Sequence, residues 1–455
     1  MFDLIVLGGG PGGYLAAERA QSAGKKVCLI EKRAVGGVCL NEGCIPSKSF
    51  LNSGKLYEHA LDSKAFGVTT ENAQIDQKAV VKRKNRVVKR LVGGVKVMLR
   101  DLGVEVINAE GKVSGKRDGK FVVTADGTEY TAENLILAMG SEAIVIPLPG
   151  VEEGIASGQI MTNREILDLN EIPEHLVIVG GGVIGLEMAA YFAGVGAKVT
   201  VIEMLDHIAG NTDRELTKIL QENLEKKGIV FELEAKVTAF AEGKVFYEKD
   251  GEAIELDCDK VLLSIGRRAQ GLNNGLESIG VELDRSVVKI DKHCRTNVEN
   301  CWAIGDLSGG IMLAHTAYRE AEVAVHDMLG IEDEIKYNAV PSVIYTQPEL
   351  ASVGESSESA RAKGLDFKEV VLPMNFSGRY MAENERGDGI CKLLISTDKK
   401  TLIGAHIIGS YASEIIFSAG LMIALELDLE TMRRQIFPHP SVVEIIREAL
   451  FAVDL

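Results

Sequence analysis

Nowhere in the 455 residues do 18 apolar residues run together, so no membrane span is expected. The N-terminus offers no leader: FDLIVLG (2–8) reads as a buried strand with no charged stretch before it, so no signal peptide is expected. Basic charge is in deficit, with 50 Lys and Arg against 66 Asp and Glu. A formal net charge of −16 argues against a nucleic-acid partner, which calls for a basic footprint. An acidic surface of this kind keeps a protein soluble. Cysteine is scarce and odd in number, seven scattered through a large chain, which is no secreted disulfide framework. No segment is low-complexity. These absences leave a cytoplasmic globular protein of ordinary composition, 46% hydrophobic, with length for about three or four domains.

An internal repeat organises the chain. LIVLGGGPGG (4–13) and VIVGGGVIG (177–185) each run from an apolar strand through a glycine-rich turn into a helix of small residues. Each then enters a second strand ending in an acid, VCLIE with Glu31 and VTVIE with Glu203. Gly8, Gly10, Gly13 and Glu31 map onto Gly180, Gly182, Gly185 and Glu203 at one offset of 172 residues. The first glycine permits the tight turn, the second lets backbone approach a pyrophosphate, and the third lets helix and strand pack closely. The helix N-terminus offers its amides to the phosphates, and the acid accepts from ribose hydroxyls. A single glycine turn that merely packs well is common. Two copies with the acid at equal spacing predict two dinucleotide sites. A carboxylate at Glu203 repels a 2′-phosphate, so that site is expected to take NAD.

Between and beyond the copies the pattern changes several times. Residues 50–145 predict two helical stretches rich in Lys and Arg, then the strands KFVVTAD and NLILAMGS. Residues 146–175, with IPLPG and EIPEH, predict a connector. The second copy ends near LLSIGRR (262–268), a stretch closing in TNVENCWAIGD (296–306) follows, and from about 340 new strands and helices begin.

GGVCLNEGCIPSK (36–48) holds Cys39 and Cys44 close together. Zinc needs two further ligands, and none stands at finger or ribbon spacing, so no metal is expected. Two independent buried cysteines are the plain alternative. A bridge needs Cα atoms within roughly 7 Å, and Gly43 helps the chain fold back that far. Lys48 and a helix start near Ile45 supply positive potential, expected to lower a thiol pKa. In a reducing compartment such a pair is more often redox-active than structural. A nicotinamide delivers two electrons on carbon, a disulfide accepts two at sulfur, and FAD handles both. Two dinucleotide sites beside a cysteine pair therefore form one circuit.

At this stretch the sequence resembles the pyridine nucleotide–disulfide oxidoreductases. The motifs run the whole chain: GGGPGG, GGVCLNEGCIPSK, LILAMGS, GGGVIGLE, SIGRR, TNVENCWAIGD, MLAHTAYREA and FPHPSVVE. The resemblance implies an α/β fold with two Rossmann-like domains, for FAD and NAD, and a C-terminal α+β dimerisation domain. Its implied bounds are 1–145 for FAD with the cysteine pair, 146–268 for NAD, 269–339 completing the FAD site and 340–455 for the interface. Gly8, Gly10, Gly13 and Glu31 match the FAD adenosine site, Asp306 its ribitol or pyrophosphate, and Gly111 and Ala314 its backbone contacts. Lys48 matches a residue beside the flavin ring, paired with Glu187. Gly180, Gly182, Gly185, Glu203, Val237, Gly266 and Arg267 match the NAD site. Cys39 matches the thiol that exchanges with substrate, and Cys44 the one facing the flavin.

His439 can take a substrate proton near neutral pH, with Glu444 holding its ring. From local sequence, Ser441 to Glu444 equally fits a helix capping box. The resemblance reads the pair as the acid/base, reaching the disulfide of another subunit in a homodimer. It also implies the reaction: a dihydrolipoyl group on carrier proteins of 2-oxoacid dehydrogenase or glycine-cleavage complexes is oxidised and NAD is reduced. A glutathione reductase-like activity, or a flavoprotein serving mainly as a docking subunit, stands as the alternative.

Overall fold

The structure, a computed structural model, describes residues 1–384 and 388–454. The chain folds as two compact units, each built from three segments. Met1–Ser49, Val81–Ile144 and Gly266–Ile335 form the first; Phe50–Val80, Val145–Ile265 and Lys336–Leu455 form the second.

In the first unit, strand β1 (Phe2–Leu7) leads through helix α1 (Pro11–Ser22) to strand β2 (Val27–Ile30). β1 lies between two parallel neighbours, with Leu4 opposite Val27 of β2 and opposite Asn134 of the Thr128–Leu137 strand. Leu4 and Val6 face α1, where Ala16, Ala17 and Ala20 allow close approach, while Ile5 and Leu7 face Phe121, Val123 and Leu137. Both faces are covered, and so FDLIVL is apolar throughout rather than alternating. The strand Cys301–Ala303 joins the same sheet beside Thr128–Leu137, which brings the 296–306 motif to the first glycine turn's own sheet. Three helices follow the first copy: α2 (Gly37–Glu42), α3 (Cys44–Asp62) and α4 (Gln77–Leu102).

In the second unit the repeat returns as β3 (His175–Val179), α5 (Val183–Gly194) and β4 (Lys198–Ile202). β3 again sits centrally in a parallel sheet, between β4 and the Lys260–Leu263 strand. The 146–175 stretch is more than the connector expected from its prolines. It holds a helix (Val151–Ser157) and an edge strand, Ile160–Met161, parallel to Lys260–Leu263. Buried Ile160 and Met161 give that short strand its reason to dock. From Ser342 onward a five-stranded antiparallel sheet packs against the helix Ala412–Ala424 and a final helix α6 (Glu444–Phe451). Among the described residues no helix is long and apolar enough to cross a membrane.

Close packing at the third glycine of the first copy sets a sharp contrast with a glycine elsewhere. A Cβ on Gly13 would stand 1.8 Å from the carbonyl oxygen of Gly8, whereas one on Gly93, inside α4, meets nothing within 4 Å. Gly13→Ala is expected to cost about 3 kcal/mol. Gly93→Ala is expected to stabilise by up to about 1 kcal/mol. Thermal and urea unfolding of the two variants checks both signs.

Candidate redox and dinucleotide sites

The two glycine turns share one geometry. Gly8 and Gly180 have φ of 107° and 103°, and a Cβ on either would strike a backbone oxygen, Ala138 at 2.2 Å or Ser264 at 2.6 Å. Gly10 and Gly182 precede the first residues of α1 and α5, and a Cβ there would have nothing nearer than 3.9 Å. That space lies at a helix start, where amides have no partner within the helix, so each turn fits a pyrophosphate. Glu31 Oε2 accepts the Gly9 N–H at 2.6 Å and its Oε1 the Arg33 N–H at 2.7 Å. Glu203 does the same, with Gly181 at 2.7 Å and Leu205 at 2.8 Å. Lone pairs remain on both carboxylates for ribose hydroxyls.

The repeat continues past the acids, where the sequence hides it. The Gly36 N–H donates to the Gly9 carbonyl and the Ala209 N–H to the Gly181 carbonyl, both at 2.8 Å. Gly37 and Gly210 follow with φ of 54° and 56°. One extra residue in the second copy and an alanine in place of a glycine break the spacing that would have revealed this. A Cβ on Gly37 would come within 2.6 Å of Gly10 Cα, so the chain crosses directly over the first nucleotide turn. Two residues further on stand Cys39 in the first copy and Thr212 in the second. Arg33 grips Glu42 with two hydrogen bonds of 2.8 Å, fixing the far end of α2.

Cys39 and Cys44 carry free thiols and interact with each other. Cys39 is pushed well up, first by its hydrogen bond with Cys44, then by burial and by charge on Cys44; Lys48 pulls down and Asp306 adds to the rise. The expected lowering therefore fails at Cys39, because a second sulfur outweighs the lysine. The other five cysteines are buried. Burial pushes Cys28, Cys301 and Cys391 up to about 12 and Cys258 to about 11. Tyr14 of α1 and Tyr318 of the Ala314–Met328 helix pair through their hydroxyls beside the cysteines, a contact that sequence reading did not anticipate.

Asp306 accepts from the Ser141 hydroxyl. Arg267, which the resemblance grouped with Glu203, lies in the first unit: its Nε donates to Ser141 Oγ at 2.7 Å and stands 3.8 Å from Asp306. Gly266 precedes it, its carbonyl accepting from Ile144. Gly111 is a packing glycine, since a Cβ would come within 2.5 Å of Leu7 Cδ1. Ala314 opens its helix, and two residues on the buried Thr316 hydroxyl has no partner. An open glycine cradle, a carboxylate with spare lone pairs and an orphaned hydroxyl make the first unit fit a dinucleotide cofactor. Lys48 stands near the start of α3. Buried Glu187, on α5 of the second unit, accepts the Tyr345 N–H at 3.1 Å. Val237 is a core residue packed with Val179 and Ile202. Among the described residues no group of three or more His, Cys, Asp or Glu could hold a metal ion.

In the second unit His439 Nδ1 lies 2.8 Å from Glu444 Oε1. The other carboxylate oxygen accepts the Ser441 N–H at 2.8 Å. The full capping box is absent among the described residues: the Ser441 hydroxyl donates to the Pro438 carbonyl and accepts no helix amide. The Ser441 amide, with help from His439, holds the Glu444 carboxyl below its ordinary range. The imidazole itself is 79% exposed.

Comparison with known proteins names the class this geometry defines. The pyridine nucleotide-disulphide oxidoreductase family model matches residues 2–321, and that family's dimerisation domain matches 340–450. The chain belongs to this family. It is 38% identical to a dihydrolipoyl dehydrogenase of Bacillus subtilis (strain 168) over 98% of this chain and 95% of that one. It is 37% identical to the mitochondrial dihydrolipoyl dehydrogenase of Rattus norvegicus, over 99% and 90%. Among solved structures, LpdA of Mycobacterium tuberculosis superposes with a TM-score of 0.90 at 25% identity, covering 98% of both chains.

Lys48 is the one cation acting against the rise at Cys39, which gives it a measurable effect. In the reduced protein, Lys48→Met is expected to slow iodoacetamide alkylation of Cys39 about tenfold at pH 7.5. Peptide mass spectrometry reads that rate, with the five buried cysteines as unreactive internal controls.

Proposed function

We propose that the protein oxidises dihydrolipoyl groups, carried on lipoyl proteins of 2-oxoacid dehydrogenase or glycine-cleavage complexes, and reduces NAD. The observation that carries this reading is the cysteine pair tied by backbone to the first dinucleotide turn, through Gly36 and Gly9. Bound FAD, held by the Gly8–Gly13 turn, Glu31 and Asp306 with Gly111 and Ala314 alongside, supplies two-electron chemistry between a dithiol and a nicotinamide. Grouping Met1–Ser49 and Val81–Ile144 with Gly266–Ile335 supports an FAD domain drawn from most of 1–145 and completed by 269–339, with Phe50–Val80 belonging to the second unit. Lys48 would flank the flavin ring.

One substrate sulfur attacks Cys39 of the Cys39–Cys44 disulfide, the S–S bond breaks, and Cys44 leaves as thiolate. The second substrate sulfur then displaces Cys39, closing the cyclic disulfide. His439, oriented through Nδ1 by Glu444, takes a substrate proton at Nε2. Its exposure suits a base that works against another surface, and the matched dimerisation domain supports a second copy of this chain as that surface. NAD would bind at Gly180, Gly182 and Gly185, with the ribose on Glu203, which leaves no place for a 2′-phosphate.

The direct test compares NAD reduction by dihydrolipoamide with NADPH oxidation by glutathione disulfide. Turnover of the first alone is expected, and it vanishes in Cys44→Ser; the reverse preference overturns the reading. His439→Gln is expected to lower kcat about 10²- to 10⁴-fold. Glu444 stays ionised well below neutrality because its carboxyl is held low, so the carboxylate that orients the ring is charged across the working pH range. Glu444→Gln should lower kcat about tenfold or more at neutral pH, since Nδ1 of His439 loses the carboxylate that orients it.

A further inference from the structure

Helix α4 carries nine lysines and arginines and one acid, Asp101, in a chain where acids outnumber bases 66 to 50. Lys82, Arg86, Lys89 and Arg90 are exposed, and among the described residues none of them has an ion-pair or hydrogen-bond partner. Their spacing stacks like charges at i, i+4 (Lys82 with Arg86, Arg86 with Arg90) and i, i+3 (Arg86 with Lys89). Such pairs weaken a helix. A local arrangement that works against its own fold points to a purpose outside it.

The face is anchored beside the redox pair. Arg83, next to Lys82, donates Nη1 to Ser49 Oγ at 2.8 Å, and Ser49 lies five residues after Cys44 on α3. Most of the apolar side of α4 is spent internally, with Leu99 buried and Val92, Val95 and Met98 packed against the first unit's core, although Leu91 and Val97 stay exposed. A membrane-surface helix needs that side free. A long polyanion such as nucleic acid would run onto a chain of net charge −16.

We propose that Lys82, Arg86, Lys89 and Arg90 form a docking surface for an acidic carrier protein that delivers its dithiol to Cys39. The proposal rests on the functional reading above and names where the carrier is recognised. Contact of this kind steers encounter and is screened by salt. It acts on the carrier-bound substrate and not on the free small molecule.

The test uses the FAD-loaded full chain with two substrates: free dihydrolipoamide, and a reduced lipoylated carrier domain of net negative charge. For the wild type, the carrier KM is expected to rise about fivefold or more between 20 and 200 mM salt, while the KM for dihydrolipoamide stays level. The variant Lys82→Glu/Arg86→Glu/Lys89→Glu/Arg90→Glu is expected to raise the carrier KM at least about tenfold at low salt. Its kcat and KM for free dihydrolipoamide should remain within about twofold, which also certifies the fold. The matching four-glutamine variant should fall between. Carrier KM unmoved in both variants, with free turnover intact, overturns the docking surface alone. So does a low-salt higher oligomer of the wild type that the variants abolish, or anionic vesicles that bind the wild type and displace the carrier. A wild type that turns over no free dihydrolipoamide overturns the functional reading and the docking surface together.

Discussion

The two peptide units that flank the middle glycine in each nucleotide turn are each held by a hydrogen bond, and the rest of each Rossmann-like half depends on them. The Gly9 N–H goes to the Glu31 carboxylate and its carbonyl takes the Gly36 N–H; Gly181, Glu203 and Ala209 repeat the arrangement. A charged acceptor makes the first of these bonds worth about 1.5–3 kcal/mol. With the peptide planes on both sides of the glycine fixed, the amides that follow point one way. The acid stands where it does because β1 and β2 pair in parallel, Leu7 opposite Ile30, with Glu31 one residue beyond the strand. A slip of one residue in that register would carry the carboxylate to the other face. Binding geometry is thus set by strand pairing some distance from any ligand.

From an identical clamp the two copies diverge at once. After Gly37 the first copy winds into α2 and presents Cys39. After Gly210 the second runs through Thr212 to Asp213, which is wholly buried, caps the next helix through the Glu215 N–H, and lies 3.0 Å from the buried Lys392 ammonium. The segment after the clamp thus serves reactivity in one copy and an internal ion pair in the other. Burial costs a charge pair much of its attraction, and here further acceptors from Glu215 and Glu369 surround the lysine.

Much of this was legible in the residues. Glycine and a terminal acid at fixed spacing leave few folds available, since each glycine answers to a specific steric clash: Gly8 against Ala138, Gly13 against Gly8. The lost parts are those where side-chain identity says little. Gly9 and Gly181 act through backbone, and the Ala209 crossing escapes because any residue can donate an N–H. Arg267 sits in a motif, SIGRR, that follows the second copy, yet its strand pairs antiparallel with Ser141–Ala143 of the first unit. Pairing between segments over a hundred residues apart leaves no periodic trace. The tyrosine pair is hidden for the same reason, with Tyr14 and Tyr318 meeting only when α1 packs on a helix from the far end of the same unit.

The upward shift at Cys39 bears on how many bases the reaction needs. Oxidising a dithiol to a cyclic disulfide releases two protons and two electrons. If both cysteines left the exchange as thiolates, two proton acceptors would be required beside two adjacent negative charges. The neighbouring sulfur and burial instead push Cys39 toward its protonated form. Two thiolates side by side are thereby disfavoured, with the Lys48 charge offsetting part of that cost. A pair that disfavours two thiolates keeps one proton on sulfur, so a single imidazole suffices for the other. A lone histidine braced by one carboxylate is what the C-terminal segment provides. The two ends of the chain are matched in proton count, and that match follows from the closeness of two sulfur atoms rather than from any property of the histidine.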